Sequence, residues 1–204
     1  MGILEEHVAG FEGSPFASFA SREAWGLVER LREIVHGLLD GLDSDFRIEG
    51  GIAVHRTATV EGGASLKPPV IVGPRCLVAQ GSLIRDGCWV DEDCVMGPGS
   101  ELKAAILFRG SKLAHFNFVG DSILGADVNL EAGAIIANHR NELDQKGILI
   151  VHGDRTIETG TTKFGALVGD GTRIGANAVV APGAILAPRT IVERLALIDQ
   201  RPRT

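Results

Sequence analysis

From Ile48 to Leu102 every sixth residue is a large aliphatic or Met: Ile48, Val54, Val60, Leu66, Val72, Val78, Ile84, Val90, Met96 and Leu102. Four positions further on in each repeat stand residues of small or modest size, Ile52, Ala58, Ala64, Val70, Cys76, Ser82, Cys88, Cys94, Ser100 and Ile106. The beat returns at Phe118, Leu124, Leu130 and Ile136, and again at Val168, Ile174, Val180, Leu186 and Val192. A period of six suits neither a helix nor a lone amphipathic strand. It predicts an all-β solenoid, a parallel β-helix of short strands and turns, with one inward aliphatic per hexad filling each corner of a coil. A phase shift falls between Leu102 and Phe118.

The remaining segments follow other rules. Residues 1–20 are mixed and Phe-rich. From about Ser21 to Asp40 the period becomes helical, with Trp25, Val28, Leu31, Ile34, Val35, Leu38 and Leu39 on one stripe, Ser21 as N-cap and Gly41 as stop. A β-helix leaves its ends open, so this stripe is expected to cap the first coil or to meet a neighbouring subunit. The expected division is an N-terminal helical segment, 1–47, and a β-helix domain, 48–204. Residues 137–163 abandon the hexads in a long excursion in which Ile148–Val151 and Thr156–Thr159 pair as a hairpin across His152-Gly153-Asp154-Arg155. A loop of that length in a regular solenoid marks function. Residues 192–199 read as a last strand or a short helix.

Composition narrows the classes. The net charge is −6, which gives no electrostatic reason to expect nucleic acid as a partner. Cys76, Cys88 and Cys94 all fall on the inward small position and read as buried thiols rather than disulfides or metal ligands. No secretory signal pattern and no membrane-length apolar run occur, so the expectation is a cytoplasmic protein away from the membrane.

The candidate chemistry lies in ELKAAILFRGSKLAHFNFVGDSILGADVNLEAGAIIAN, residues 101–138. Its pieces K-x(11)-H, H-x-x-[YF]-[VIL]-GD and VN-x-x-AG, with the later KFGALVGD, resemble the left-handed β-helix acetyltransferase domain of bifunctional N-acetylglucosamine-1-phosphate uridylyltransferase/glucosamine-1-phosphate acetyltransferases. They are still more similar to the archaeal-type sugar-1-phosphate nucleotidylyltransferases carrying that domain. The resemblance covers 85–195. It implies a homotrimer and N-acetyl transfer from acetyl-CoA to a hexosamine 1-phosphate or related amino sugar nucleotide. The nucleotidylyltransferase half has no counterpart in residues 1–47, so uridylyl transfer is not expected.

By that resemblance His115 is the general base, and Asn129 and Asn138 stand near the sugar and the acetyl group, Asn138 in a catalytic role. Arg85 and Lys103 serve the sugar's phosphate, Lys163 approaches the sugar of the neighbouring subunit's site, and main-chain groups at Ala132 and Ala176 hold acetyl-CoA. Histidine titrates in the range such a base needs. Arg85 and Lys103 are one three-hexad coil apart, so they should stack on adjacent rungs about 5 Å apart, where two cations call for an anion. Phe118 departs from the family's usual Tyr, removing a hydroxyl from the acceptor site. Arg173, Arg189 and Arg194 stand where the nucleotide's phosphates would pass. The H-x(4)-H pair of β-helix carbonic anhydrases is absent, so no zinc site is expected. Two other readings stay open: a non-catalytic β-helix trimer binding a sugar nucleotide or partner protein, and an O-acetyltransferase of the same fold.

Overall fold

The computed structural model describes residues 2–201; residue 1 and residues 202–204 of the two expected segments lie outside the described residues. The chain winds a left-handed parallel β-helix. Its three walls hold seven parallel strands each, one per coil, and wall 1 carries an additional antiparallel edge strand, Phe46–Glu49. In the first coil wall 1 is Ile52–His55, wall 2 Thr59–Val60 and wall 3 Ser65–Leu66. The final strand, Leu197–Ile198, pairs with Val179–Val180, so residues 192–199 hold the end of one strand, a turn and this last strand, with no helix.

The inward ladder is as the hexads require, with two differences. Val72, Val78, Ile84, Val90, Met96 and Leu102 are buried in one core, joined later by Val168, Ile174, Val180, Leu186 and Val192. Ile48 stands outside it, on the edge strand and 46% exposed. Phe118 is not the inward residue of its coil either; Val119 is, and Leu102 pairs with Val119 directly. The phase shift consists of two five-residue steps, Leu102 to Leu107 and Val119 to Leu124, all four being core residues. Each shortened corner turns on one non-glycine residue in left-handed geometry, Ala104 (φ 45°) and Asp121 (φ 46°). The shift also turns Ile106 outward and makes Ala105 the small inward residue.

The helical segment is broken and placed differently from the expectation. Its helices are α1 (Ile3–His7), α2 (Ala24–Glu29) and α3 (Leu31–Leu38). Residue 23, not Ser21, precedes α2, and Arg30 interrupts the stripe with non-helical ψ. These helices do not close the open end of the first coil, where Ile52, Val54, Ala58, Val60 and Leu66 line an open concavity. They cover the outer face of wall 1. Each coil offers one outward apolar residue there, Ala53, Ile71, Trp89, Ile106, Ile123, Leu167 and Ile185, and these form a second core with Leu4, Phe11, Phe16, Trp25, Leu27, Leu31 and Val35. Phe16 meets Trp89 edge-on at 5.3 Å between centroids. Asp170 anchors the leader at its far end, its amide donating to the His7 carbonyl (2.9 Å) and its carboxylate accepting from Ala9 (2.9 Å). A wall apolar on both faces must be covered, and the Phe-rich leader is its cover.

The excursion forms the expected hairpin shifted by one residue: Leu149–His152 pairs with Arg155–Glu158 around Gly153-Asp154. Ile148, Ile150 and Phe164 join the second core. Arg140, 3% exposed, pins the start of the excursion to the last coil through Asp199 and the Pro182 carbonyl. The excursion leaves and returns at one point, where the Phe164 amide donates to the Asn138 carbonyl (3.1 Å). No described helix is long and apolar enough to cross a membrane.

Two outcomes check this packing. Phe16→Ala is expected to destabilise the protein by about 3–5 kcal/mol in denaturant titration, the range for a fully buried aromatic. The three free thiols are all buried, and burial pushes Cys88 up to about 12. A disulfide-exchange reagent at pH 8 should therefore label none of them in the native protein and all after unfolding.

Candidate active site

The candidate residues fall on two corners of the triangular coil and the faces beside them. The wall 2 to wall 3 corner carries His115, Ala132 and Ala176, each the second residue of its turn, one per coil. Strand register aligns these turns, since Leu113, Leu130 and Ile174 lie side by side. His115 is exposed. Its carbonyl accepts from the Gly133 amide (2.9 Å), while its imidazole makes no hydrogen bond among the described residues. The ring is free to meet a ligand.

The next residue is unusual for its place in the turn. Six of the seven stacked turns hold Gly, Asn or Leu at the third position; the fourth coil holds Phe116, with φ 53° and 72% exposed. A bulky residue in left-handed geometry is a strained exception. It is accommodated because Gly99, one coil earlier, lacks a side chain. A Cβ there would lie 2.5 Å from Phe116 Cδ1.

On the same corner the Ala176 amide is already engaged. It donates to Glu131 Oε2 (2.9 Å), and Glu131 holds Arg194 through two bonds of 2.8 Å. Arg194 beside it, and the Ala176 amide, hold the Glu131 carboxyl below its usual range. Ala132 is exposed, and its carbonyl accepts from Asn177 (3.0 Å). Asn129 sits on the outer face of wall 2, between Lys112 and Arg173 in the ladder. It borders a shallow groove of about 230 Å³ shared with Glu131, Arg173 and Arg194.

The wall 3 to wall 1 corner gathers the cations. Arg85 and Lys103 pair on adjacent rungs, as their spacing requires. The anion that such a pair calls for is supplied by the protein itself. Arg85 donates to Glu101 Oε1 (2.8 Å) and Asp86 Oδ2 (2.7 Å), and Lys103 Nζ to both oxygens of Asp121 (2.9 and 3.2 Å). Asn138 Nδ2 donates to the same Asp121 carboxylate. Lys163 is exposed and lines, with Lys103, Asp86, Asp121, Glu29 and Arg32, a cleft of about 380 Å³ under the helices. Phe118 lies on wall 3 between the two corners, its ring edge and the Asn138 amide both crowding over Gly120.

Within one chain, then, Arg85, Lys103 and Asn138 share a cluster, and His115 belongs to a different corner. Asp121 is the member the sequence reading passed over. It stood in the GD of the quoted motif, and the one-residue shortening of its coil is what turns it toward Lys103.

No protein-family model matches the chain. A bifunctional sugar-1-phosphate nucleotidylyltransferase/acetyltransferase of Sulfurisphaera tokodaii is 30% identical over 162 residues, 76% of this chain and 40% of that protein. The bifunctional protein GlmU of Methanococcus vannielii is 28% identical over 170 residues, 83% of this chain and 40% of its own length. The chain is similar to the hexapeptide-repeat acyltransferases. It spans about 40% of the length of these relatives. Among solved structures, a hexapeptide transferase family protein from Anaplasma phagocytophilum superposes with a TM-score of 0.50 at 16% identity, over 76% of this chain and 78% of that one. That likeness concerns the hexapeptide fold.

The Gly99–Phe116 contact is testable. Gly99→Ala should displace the Phe116 ring and place Ala at φ 71°, costing about 1–3 kcal/mol by the usual toll of overpacking and left-handed strain. Thermal denaturation beside Phe116→Ala separates the two: in the double variant the clash is gone and only the strain at residue 99 remains.

Proposed function

We propose that this chain transfers an acetyl group from acetyl-CoA to the amine of an amino sugar carrying a 1-phosphate or nucleotide, with His115 as general base. The observation that carries this reading is the free, exposed imidazole of His115 on a strained corner, in a chain related to enzymes named for acetyl transfer. A histidine kept only for its turn would spend its ring on backbone partners, and this one does not.

The chemistry follows from the groups present. As the amine attacks the thioester carbonyl, His115 accepts its proton. The tetrahedral intermediate collapses with loss of the CoA thiolate, which takes up a proton on release. The oxyanion needs a donor, and the Asn138 amide is the candidate, with Asn129 orienting the acceptor. Lys163 brings to the cleft a cation with no ion pair among the described residues, suited to the acceptor's phosphate. Ala132 and Ala176 serve the donor, the latter once Glu131 releases its amide.

Two corners of one chain do not make a single site, which favours assembly as a homotrimer in which neighbouring chains bring them together. Phe116, Ile135, Ile191, Leu195 and Leu197 are exposed apolar side chains on or beside the His115 corner, the kind of strip that contact with a second chain covers. Phe118 without a hydroxyl, and cations already paired, keep a second reading in play: a non-catalytic sugar-nucleotide binder. We place the protein in the cytoplasm, in keeping with three unpaired cysteines.

The test is acetyl-CoA turnover, followed as thiol release, with glucosamine 1-phosphate as acceptor. Release should depend on acceptor, and His115→Ala should lower kcat about 10²–10⁴-fold, the usual contribution of a general base. Acetyl-CoA binding without turnover on any amino sugar would replace the enzyme with the binder.

A further inference from the structure

Asp121 is held through its side chain and its backbone together. Its carboxylate takes Lys103 Nζ from the coil before and Asn138 Nδ2 from the coil after. Its amide donates to the Lys103 carbonyl (2.8 Å), and its carbonyl accepts from Gly165 (2.8 Å), where the excursion rejoins the solenoid. Its side chain is 11% exposed, against 14% for Lys103. With backbone and side chain both tied, at a left-handed corner, the carboxylate cannot swing aside without unmaking contacts in three coils.

This placement has two chemical consequences. Asn138 and Lys103 share one carboxylate, so the orientation of the amide and of the ammonium are set together. The charge of Lys103 is also cancelled where it stands, just as Asp86 and Glu101 cancel Arg85. The corner is thus a built site in which two cations face three carboxylates, and an anion entering it meets a carboxylate beside each of these two cations.

We infer that Asp121 is the positioning residue of this site: it aligns Lys103 and Asn138 across three coils, and its charge limits how tightly the corner holds a phosphate. The inference rests on the amino-sugar transferase reading above. The carboxylate acts through its two partners and touches no reacting atom.

Asp121→Asn keeps the volume and one acceptor oxygen and removes the charge. Inorganic phosphate, titrated calorimetrically, should bind it about ten-fold more tightly than wild type, the gain expected from removing one like charge beside an anion site. With glucosamine 1-phosphate, KM should fall along with kcat, because the anion is held better while Asn138 and Lys103 must share the one acceptor oxygen that remains. Asn138→Ala, which leaves the charges untouched, should lower kcat and leave phosphate affinity at the wild-type value; it also serves if Asp121→Asn does not fold. Asp121→Glu should restore weak phosphate binding. Phosphate affinity unchanged or weakened in Asp121→Asn, or altered in Asn138→Ala, overturns the inference. So does a raised KM at constant kcat, which would mean that the carboxylate contacts the acceptor itself. If wild type acetylates no amino sugar, the transferase reading fails separately, and the phosphate titrations still decide the role of Asp121.

Discussion

Everything in this molecule depends on coil-on-coil registry. An inward side chain is useful only if it lies above the inward side chain of the coil before, because the strands are two to four residues long and none can bury itself alone. The registry is eighteen residues where Ile84 meets Leu102 and seventeen where Leu102 meets Val119. That single-residue loss leaves the core continuous while rotating what stands outside it. Lys103 and Asp121 stand at the corners so shortened, and Asn138 reaches Asp121 from the next coil, where the 27-residue excursion leaves.

Registry also explains why the leader lies where it does. Walls 2 and 3 present mixed outer faces, whereas wall 1 presents one large apolar side chain on most coils. At about 25 cal/mol per Å² of apolar surface removed from water, covering that ladder outweighs covering the open end, whose first-coil side chains are fewer. The helices therefore run along the solenoid, and α1 reaches the sixth coil through Asp170 and His7. The leader in turn walls the cleft over Lys103 and Lys163, so a packing requirement shapes the candidate site.

The cation corner shows how a family motif and its local electrostatics can pull apart. Spacing alone places Arg85 over Lys103, and an anion between them is the economical solution. The fold reaches that solution with Glu101, Asp86 and Asp121, so motif residues that suggest a bare phosphate cradle form a neutralised network instead. At the other corner Glu131 does the same for the Ala176 amide and Arg194. Both sites carry internal stand-ins for the charges that the proposed ligands would bring.

The hexads alone determined that the chain is a parallel β-helix, which Cys and Ser positions face inward, and that the break at 137–163 is an insertion. Inward residues must recur with the coil, and a periodic constraint on the core is written directly into the sequence. The motif string named His115, Lys103 and Asn138 as candidates through resemblance alone. Only the tertiary structure decided the rest. A five-residue corner is invisible in a list of aliphatics, so Phe118 looked inward when Val119 was, and Asp121 drew no role. The helical stripe showed that the leader must bury a face, but the partner face, one residue per coil from Ala53 to Ile185, is assembled across 133 positions of chain. Contacts of that kind exist only once the coils are stacked, because each contributing residue is separated from the next by a full turn of backbone.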